Sequence, residues 1–337
     1  MIRAAATRAK RKPSAILMQI LTVLTVAVLI YIVIKTDFRL IWAHVRTIPV
    51  GLFGILLTLQ LATQFALNYQ WYRLCRVLDL PVTFWKMLVV NSYGTVVDAA
   101  NPGEKVGGEV ARVVQLNKIL GMNTNQSTAL VTIQKSLSLV SLVLLNMLAI
   151  VVLMGKVQFL RAWTVRLSLM ALLIFIAGFL LYALFFTERL NGRVQRIKST
   201  GKLAMWLKRW VRDFARDTRT ISSRPKEWMF QFALSLAIWA LFPTKLLIIV
   251  SQYTSINLFA LFAITFLSYF AAMIPLLPGG LGTFEAAMSG MLIAYNLTVE
   301  GAMAISLIFR FITFWFVVLY SVVVILVWKA RGRRRRL

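Results

Sequence analysis

The side chains best placed to do chemistry in this sequence flank two proline- and glycine-containing segments, 101–112 and 275–285. Proline removes a helical hydrogen bond and glycine costs about 1 kcal/mol in a helix, so both segments predict a broken helix. A new helix start presents backbone N–H groups, which bind anions. Glu109 and Glu285 lie at equivalent places in the two segments. The helix start opened by Pro-Gly-Gly at 278–280, with cations of both segments nearby, therefore predicts an anion site, for which a lipid phosphate is the favoured ligand.

A cation follows each segment inside an apolar run: Lys135 and Arg310 lie 33 and 32 residues after the respective Pro-Gly pairs. Ionisable groups at membrane depth cost at least a few kcal/mol, so they need a partner or a function. Two interpretations stay open. In one, Glu109 pairs with Lys135 and Glu285 with Arg310, and each pair only ties a broken helix to the next helix. In the other, these residues bind a lipid head group, with tyrosine hydroxyls as further donors. The candidate head-group residues are Tyr93, Lys105, Glu109, Arg112, Lys135, Tyr269, Gly279, Gly280, Glu285 and Arg310.

Familiar catalytic sets are missing from the sequence. The single histidine, His44, lies far from any candidate nucleophile, and no Walker motif occurs. The single cysteine, Cys75, excludes an intramolecular disulfide and a thiolate metal cluster. A metal-dependent lipid-phosphate transferase would need Asp98, Glu104 and Glu109 together, but cations are interleaved among them. The sequence predicts no enzyme, no cofactor and no metal, with the transferase kept as the weakest alternative.

Composition places these residues in a membrane. The 337 residues are 60% hydrophobic with a mean hydropathy of +0.78, and several apolar runs reach about 18 residues or more, which is long enough to span. The formal net charge of +27 lies at the ends of the apolar runs, as expected for membrane topology and not for nucleic-acid binding. The sequence predicts a multi-pass helical membrane protein.

The chain divides into a basic tail (1–15), one membrane domain (16–328) and a second basic tail (329–337). A basic loop, 187–227, contains apolar residues at helical spacing over 203–214. This pattern predicts an amphipathic helix that lies on an anionic leaflet or packs on its own protein. The predicted full spans are 16–34, 50–72, 127–154, 163–186, 228–250 and 299–328.

Both tails and the basic loop are expected in the cytoplasm. The predicted fold is all-α, with about six full spans and two interrupted, re-entrant hairpins. If the interrupted segments cross the bilayer as ordinary spans, the total becomes eight, and both tails stay inside.

An internal repeat relates the two halves, about 16–155 and 156–328. The Ser-Tyr pair at 92, the Pro-Gly pair at 102 and Glu109 recur 176 residues later at 268, 278 and Glu285. Because three elements of the first half cross the membrane, the second half starts on the opposite side. The sequence thus predicts an inverted repeat, as in secondary transporters, with a site where the two broken helices meet.

These motifs carry a resemblance to a known family. The stretch Pro-Gly…Gly-Glu…Arg at 102–112, followed by Gly121, and Pro-Gly-Gly-Leu-Gly…Glu at 278–285, followed by Arg310, resemble the membrane domain of lysylphosphatidylglycerol synthases. Stand-alone members are flippase-like integral membrane proteins. Where the family usually has a Glu-Arg pair followed by an acid, this chain has Gln134, Lys135 and Ser138. Only nine residues follow Trp328, so we expect no aminoacyl-transferase domain.

Together the residues and the resemblance predict a bacterial inner-membrane protein with cytoplasmic termini. It would translocate, or help translocate, an anionic or amino-modified phospholipid or a polyprenyl-phosphate-linked lipid. The alternative is a non-transporting accessory or scaffold protein of a lipid or envelope-glycan pathway. The expected partners are membrane lipids and, for the alternative, lipid- or glycan-biosynthesis proteins. Nucleic acid is not expected, and the sequence predicts no oligomeric state.

Overall fold

A computed structural model describes residues 46, 49–100, 106–153, 162–196, 201–274 and 279–334. The first half comprises α1 (Val50–Val77), α2 (Phe84–Ala100), α3 (Val106–Leu120) and α4 (Thr124–Leu153). The second half begins with α5 (Trp163–Phe185), α6 (Thr187–Gln195), α7 (Lys202–Ser222) and α8 (Pro225–Val250). It continues with α9 (Leu258–Ala272), α10 (Thr283–Ile293), α11 (Val299–Arg310), a π-helical turn (Phe311–Trp315) and α12 (Phe316–Arg334). The predicted span 16–34, His44, Lys105 and the prolines of both interrupted segments lie outside the described residues.

Among the described residues, five helical segments are long and apolar enough to cross a membrane: α1, α4, α5, α8 and the continuous rod formed by α11, the π turn and α12. Their bounds match the predicted runs to within a few residues, except that α1 continues to Val77. The described residues contain helices and no strand. The prediction of an all-α multi-pass membrane protein is confirmed.

Both interrupted segments form pairs of packed helices. α2 packs against α3, and α9 packs against α10. The helices α9 and α10 have 15 and 11 residues, so at about 1.5 Å per residue neither reaches the ~30 Å thickness of a hydrocarbon core. These lengths favour a second hairpin that enters the membrane and turns back over one that crosses it twice.

Local sequence signals set the helix starts of the second half. Pro225 occupies the first turn of α8, where its missing N–H costs nothing. The Asn257 side chain accepts a hydrogen bond from the Phe259 N–H at the start of α9, and Thr298 accepts one from the Gly301 N–H at the start of α11. Such caps satisfy donors that a helix start otherwise leaves unpaired.

The basic loop folds into α6 and α7, and α7 is the predicted amphipathic helix. Val211 and Phe214 are buried on α7, which packs against α4. Met205 and Leu207, nearer the start of α7, are 46% and 37% exposed. The later turns of α7 therefore pack on the protein itself, while Met205 and Leu207 in its earlier turns are exposed.

Within the described residues, two of the apolar core clusters lie around the hairpins, one at each. The first contains Trp71 and Leu116 together with Leu130 of α4, and the second contains Phe266 and Phe284 together with Leu142 of α4. The 30-residue α4 thus packs its early turns in the first cluster and its later turns in the second.

Helix packing between the halves is reciprocal. α4, which follows the first hairpin, packs against α9 of the second hairpin, while α12, which follows the second hairpin, packs against α2 of the first. The equivalent helices α1 and α8 pack against each other. Each half therefore supplies the helix that covers the other half's hairpin.

We predict that Gly280→Ala destabilises the second hairpin. Gly280 has φ +64°, and a Cβ there would lie 2.8 Å from the Ala272 carbonyl oxygen at the end of α9. A left-handed conformation alone costs an L-residue about 1–2 kcal/mol, and the clash adds to it. The measurement is the thermal melting of purified protein in detergent. Gly290→Ala is the matched control, because Gly290 lies inside α10 with nothing within 4 Å of its Cβ position. Equal melting of both variants would contradict this account of the turn.

Candidate functional site

A cavity of about 210 Å³ lies where the two hairpins and their following helices meet. Its walls come from α1, α2, α3, α4, α8, α9, α11, the π turn and α12. Three cations and two carboxylates line it, so the charged wall carries a net positive charge at neutral pH. These residues are Asp98, Glu109, Arg112, Lys135 and Arg310.

Glu109 is the centre of the ionic contacts on the first-half wall. Its Oε1 accepts a hydrogen bond from Lys135 Nζ at 2.8 Å and lies 3.1 Å from Arg112 Nη1. The 109/112 spacing places both side chains on one face of α3, while Lys135 reaches in from α4. Arg112 Nη1 also lies 3.4 Å from Asp98 Oδ2 on α2. One chain of charges thus joins three helices.

Two glycines allow this close approach of α2 and α3. Gly108 donates its N–H to Asp98 Oδ1 at 2.8 Å, and a Cβ at Gly108 would overlap the Asp98 carboxyl group. A Cβ at Gly94 would lie 2.5 Å from Arg112 Nε. Both positions therefore need glycine, because even a Cβ would prevent the Asp98–Arg112 contact.

Arg310 of the second half is more deeply buried than Lys135, with a side chain only 2% exposed. Its Nε lies 3.4 Å from Glu285 Oε1, and its Nη2 donates to the Gly279 carbonyl. Its guanidinium lies 4.8 Å from the ring centre of Phe284 and 4.2 Å from that of Phe314. The two ion pairs predicted from the sequence, Glu109–Lys135 and Glu285–Arg310, are both present.

The start of α10 is occupied by the protein's own carboxylate. Glu285 Oε2 accepts a hydrogen bond from the Gly282 N–H at 2.6 Å. Gly279 and Gly280 both have positive φ, and Gly279 presents its carbonyl to Arg310. Anion binding by these two glycines stays a prediction, and the contact described at Gly279 is that of an acceptor facing a cation.

The two candidate tyrosines differ in position. Tyr269 lines the cavity and is 7% exposed. Its ring contacts those of Trp239, Phe242 and Phe284. Tyr93 on α2 is half-buried and lies outside the cavity lining. The structure therefore places Tyr269, and not Tyr93, with the charged residues.

Two polar atoms of the first-half wall keep unused hydrogen-bonding capacity. Glu109 Oε2 and Arg112 Nε are buried and have no hydrogen-bond partner within the described part of the chain. A buried acceptor or donor without a partner costs about 1–3 kcal/mol. A ligand or water in the cavity would relieve that cost, so both atoms point to an occupant with donor and acceptor groups.

Sequence analysis missed two features next to the cavity. Asp98 was considered only for a transferase, yet it holds Arg112. Lys245 on α8 is fully buried, and its Nζ lies 2.6 Å from Gln60 Oε1 and 2.9 Å from Thr63 Oγ1 on α1. Lysine inside an apolar run was the available signal, but its partners lie more than 180 residues away in the chain.

Comparison with known proteins identifies the family. A family model described as the lysylphosphatidylglycerol synthase TM region matches residues 17–321. The chain is also 22% identical over 263 residues to a UPF0104 membrane protein of Methanothermobacter thermautotrophicus, an alignment that covers 74% of this chain and 77% of that protein. The chain therefore belongs to the lysylphosphatidylglycerol synthase TM region family, and the resemblance read from the motifs is confirmed.

We predict that Arg112→Met lowers stability more than Lys135→Met. Arg112 neutralises both Asp98 and Glu109, whereas Glu109 keeps Arg112 when Lys135 is lost. Removing one partner of a buried pair costs about 3–5 kcal/mol. Loss of the partly exposed Lys135 should cost about 1 kcal/mol. Melting temperatures in detergent report the order, and a Lys135→Met protein as unstable as Arg112→Met would contradict it.

Proposed function

We propose that this protein translocates, or assists the translocation of, a lipid with an anionic or amino-modified head group. A phospholipid and a polyprenyl-phosphate-linked lipid both fit this description. The observation that carries the proposal is the convergence of both hairpins on one cavity, whose wall holds Arg112, Lys135 and Arg310. A polar site between broken helices near the middle of the fold is typical of lipid and solute transporters.

The wall chemistry supports a head group with a phosphate. In the surroundings of low dielectric constant, cations attract a phosphate more strongly than they do in water. Lys135 is the most accessible of the three cations, with a side chain 24% exposed. The unpartnered Glu109 Oε2 offers an acceptor for a hydroxyl or amino group of the same head group. The proposed binding set is Glu109, Arg112, Lys135, Tyr269 and Arg310, with Glu285 holding Arg310 in place.

We further propose that the two halves are inverted repeats that rock against each other. The reciprocal packing of α4 on α9 and of α12 on α2 is what two-fold-related halves require. The pairing of each hairpin glutamate with the cation of the following helix recurs in both halves. Helices of both halves line the cavity, so rocking one half against the other would open the cavity to one side of the membrane at a time.

The proposed setting is a bacterial inner membrane with both termini in the cytoplasm. The positive charges of both tails and of the α6–α7 region support that orientation, because basic loops stay on the cytoplasmic side. We propose no catalytic role. Asp98 and Glu109, which a metal-dependent transferase would need, are both in contact with Arg112, and this arrangement favours binding over metal chemistry.

One observation favours the accessory alternative. Met205 and Leu207 are exposed on α7 beside Arg209, which suits contact with an anionic leaflet or a partner protein. Replacing both Met205 and Leu207 with aspartate leaves the buried face of α7 intact. Loss of function in cells, with unchanged lipid movement in liposomes, would favour the accessory role.

We predict that purified protein moves lipids between leaflets and that Lys135→Met reduces the rate at least tenfold. The assay uses liposomes with labelled anionic, zwitterionic and polyprenyl-phosphate lipids, each tested separately. Loss of the accessible cation removes a charge that contacts the head group, while Glu109 retains Arg112.

Lys118→Met is the matched control, because Lys118 is exposed at the end of α3 away from the cavity. Lipid movement that is equal in wild type, Lys135→Met and Lys118→Met would overturn the site. Absence of movement for every lipid class would favour the accessory alternative.

A further inference from the structure

Lys245 occupies an unusual position beside the cavity. Its side chain is fully buried in α8, and its Nζ donates to Gln60 Oε1 at 2.6 Å and to Thr63 Oγ1 at 2.9 Å. The Nζ also lies 4.4 Å from the ring centre of Phe242. All three partners are uncharged.

The other buried cations of the described chain have carboxylate partners. Arg112 contacts Glu109 and Arg310 contacts Glu285. The partly exposed Lys135 and Arg73 are also paired, with Glu109 and Glu227 respectively. Within the described residues, no carboxylate oxygen lies within 4.0 Å of Lys245 Nζ. A buried ammonium without a counter-ion costs several kcal/mol, and a lysine avoids that cost by releasing its proton. Among these cations, Lys245 is therefore the one whose positive charge is least stabilised by a nearby negative charge.

The site around Lys245 can hold both protonation states. The Thr63 hydroxyl donates to the Leu59 carbonyl at 2.7 Å, so its oxygen accepts from Lys245. Gln60 Nε2 is buried and has no hydrogen-bond partner among the described residues. Rotation of the Gln60 carboxamide would turn Nε2 toward Lys245 Nζ, where it can donate to the lone pair of a neutral amine. The side chains of Gln60 and Thr63 can then hydrogen-bond both –NH3+ and –NH2.

Lys245 is linked to the cavity by two of its own contacts. Thr63 and Phe242 both line the cavity and both contact Lys245. A phosphate in the cavity would be separated from Lys245 Nζ by the side chains of Thr63 and Phe242. A negative charge at that range favours the protonated amine.

The other charged groups on helices packed against α8 do not form an ion pair with Lys245. Glu300, in the first turn of α11, is a carboxylate on a helix that packs against α8, but no ion pair joins it to Lys245. Lys135 on α4 and Arg310 on α11 are paired with glutamates, and α9 contributes the phenol of Tyr269 to the cavity. On α1 the Arg73–Glu227 pair lies near the start of α8, about 25 Å from Lys245 along the helix. α7 packs at that same end, where Phe214 belongs to the cluster that Trp228 contacts. The charge of Lys245 is therefore governed by what the cavity holds.

We propose that Lys245 is a proton-binding site that loads when an anionic head group enters the cavity and empties when it leaves. The amine takes one proton from water on the entry side, forming –NH3+, and returns it to water on the exit side. One proton thus travels with each lipid, and a pH gradient drives the lipid toward the alkaline side. This inference rests on the lipid translocation proposed above.

The test uses proteoliposomes with labelled phosphatidylglycerol in the outer leaflet. We expect wild type to move the label inward severalfold faster when the outside is acidic than at equal pH, and more slowly when the gradient is reversed. Lys245→Met cannot take up a proton, and Lys245→Arg cannot release one. Both should move lipid at a rate that the gradient does not change. Lys226→Met, an exposed lysine on the same helix, should respond as wild type does.

The outcomes separate this inference from the function on which it rests. If wild type moves the label at one rate under every gradient, the proton site is overturned while translocation stands. A gradient response that persists in Lys245→Met or Lys245→Arg, even at a lower absolute rate, assigns Lys245 a structural role and overturns the site as well. If wild type moves the label toward the acidic side, the proposed direction is wrong. If wild type moves no label, lipid translocation itself fails and the inference fails with it.

Discussion

The need to neutralise charge at membrane depth governs this fold. Glu109 holds Arg112 on its own helix and Lys135 on the next, so α3 cannot leave α4 without exposing charges to an apolar environment. Glu285 has the same position in the second half. It caps the start of α10 through Gly282 and faces Arg310 on α11. Each short hairpin is thus fixed by one glutamate to the long helix that follows it.

The exchange of cover helices between the halves explains why the charges of both meet at one cavity. α4 packs on α9, and α12 packs on α2, so Lys135 of α4 and Arg310 of α11, which precedes α12 in the same rod, both line the central cavity. Had each half covered its own hairpin, two separate ionic clusters would result. α4 also contributes to the apolar cluster of each half: Leu130 belongs to the cluster at the first hairpin and Leu142 to the cluster at the second.

Sequence reasoning recovered the features that local chemistry sets. Proline and glycine located both helix breaks, and the glutamate–cation spacing located both ion pairs, because each signal lies within one hairpin and its next helix. It missed contacts that depend on how helices pack against each other, both between the halves and within the first hairpin. Lys245 meets Gln60, which lies 185 residues away, and Asp98 meets Arg112 only because Gly94 and Gly108 let α2 and α3 approach. Nothing in the spacing of single residues reports such tertiary neighbours. The glycine run is compatible with the positive φ of Gly280. The hydrogen bond from Arg310 to the Gly279 carbonyl could not be predicted, because it depends on the three-dimensional path of the turn.

The π-helical turn at Phe311–Trp315 sets the rotational register between Arg310 and the last helix. A π turn holds one residue more than the α-helical turn it replaces, and one residue corresponds to about 100° of rotation around a helix axis. Arg310 faces Glu285 before the turn, and α12 faces α2 after it. If the same five residues formed regular α-helix, the two faces would be about 100° out of phase, whereas the wider π turn absorbs the extra residue and keeps them in register. In this rod, a single-residue deletion within the π turn should therefore be tolerated better than one in the flanking α-helix, where each residue lost rotates one face by about 100° relative to the other.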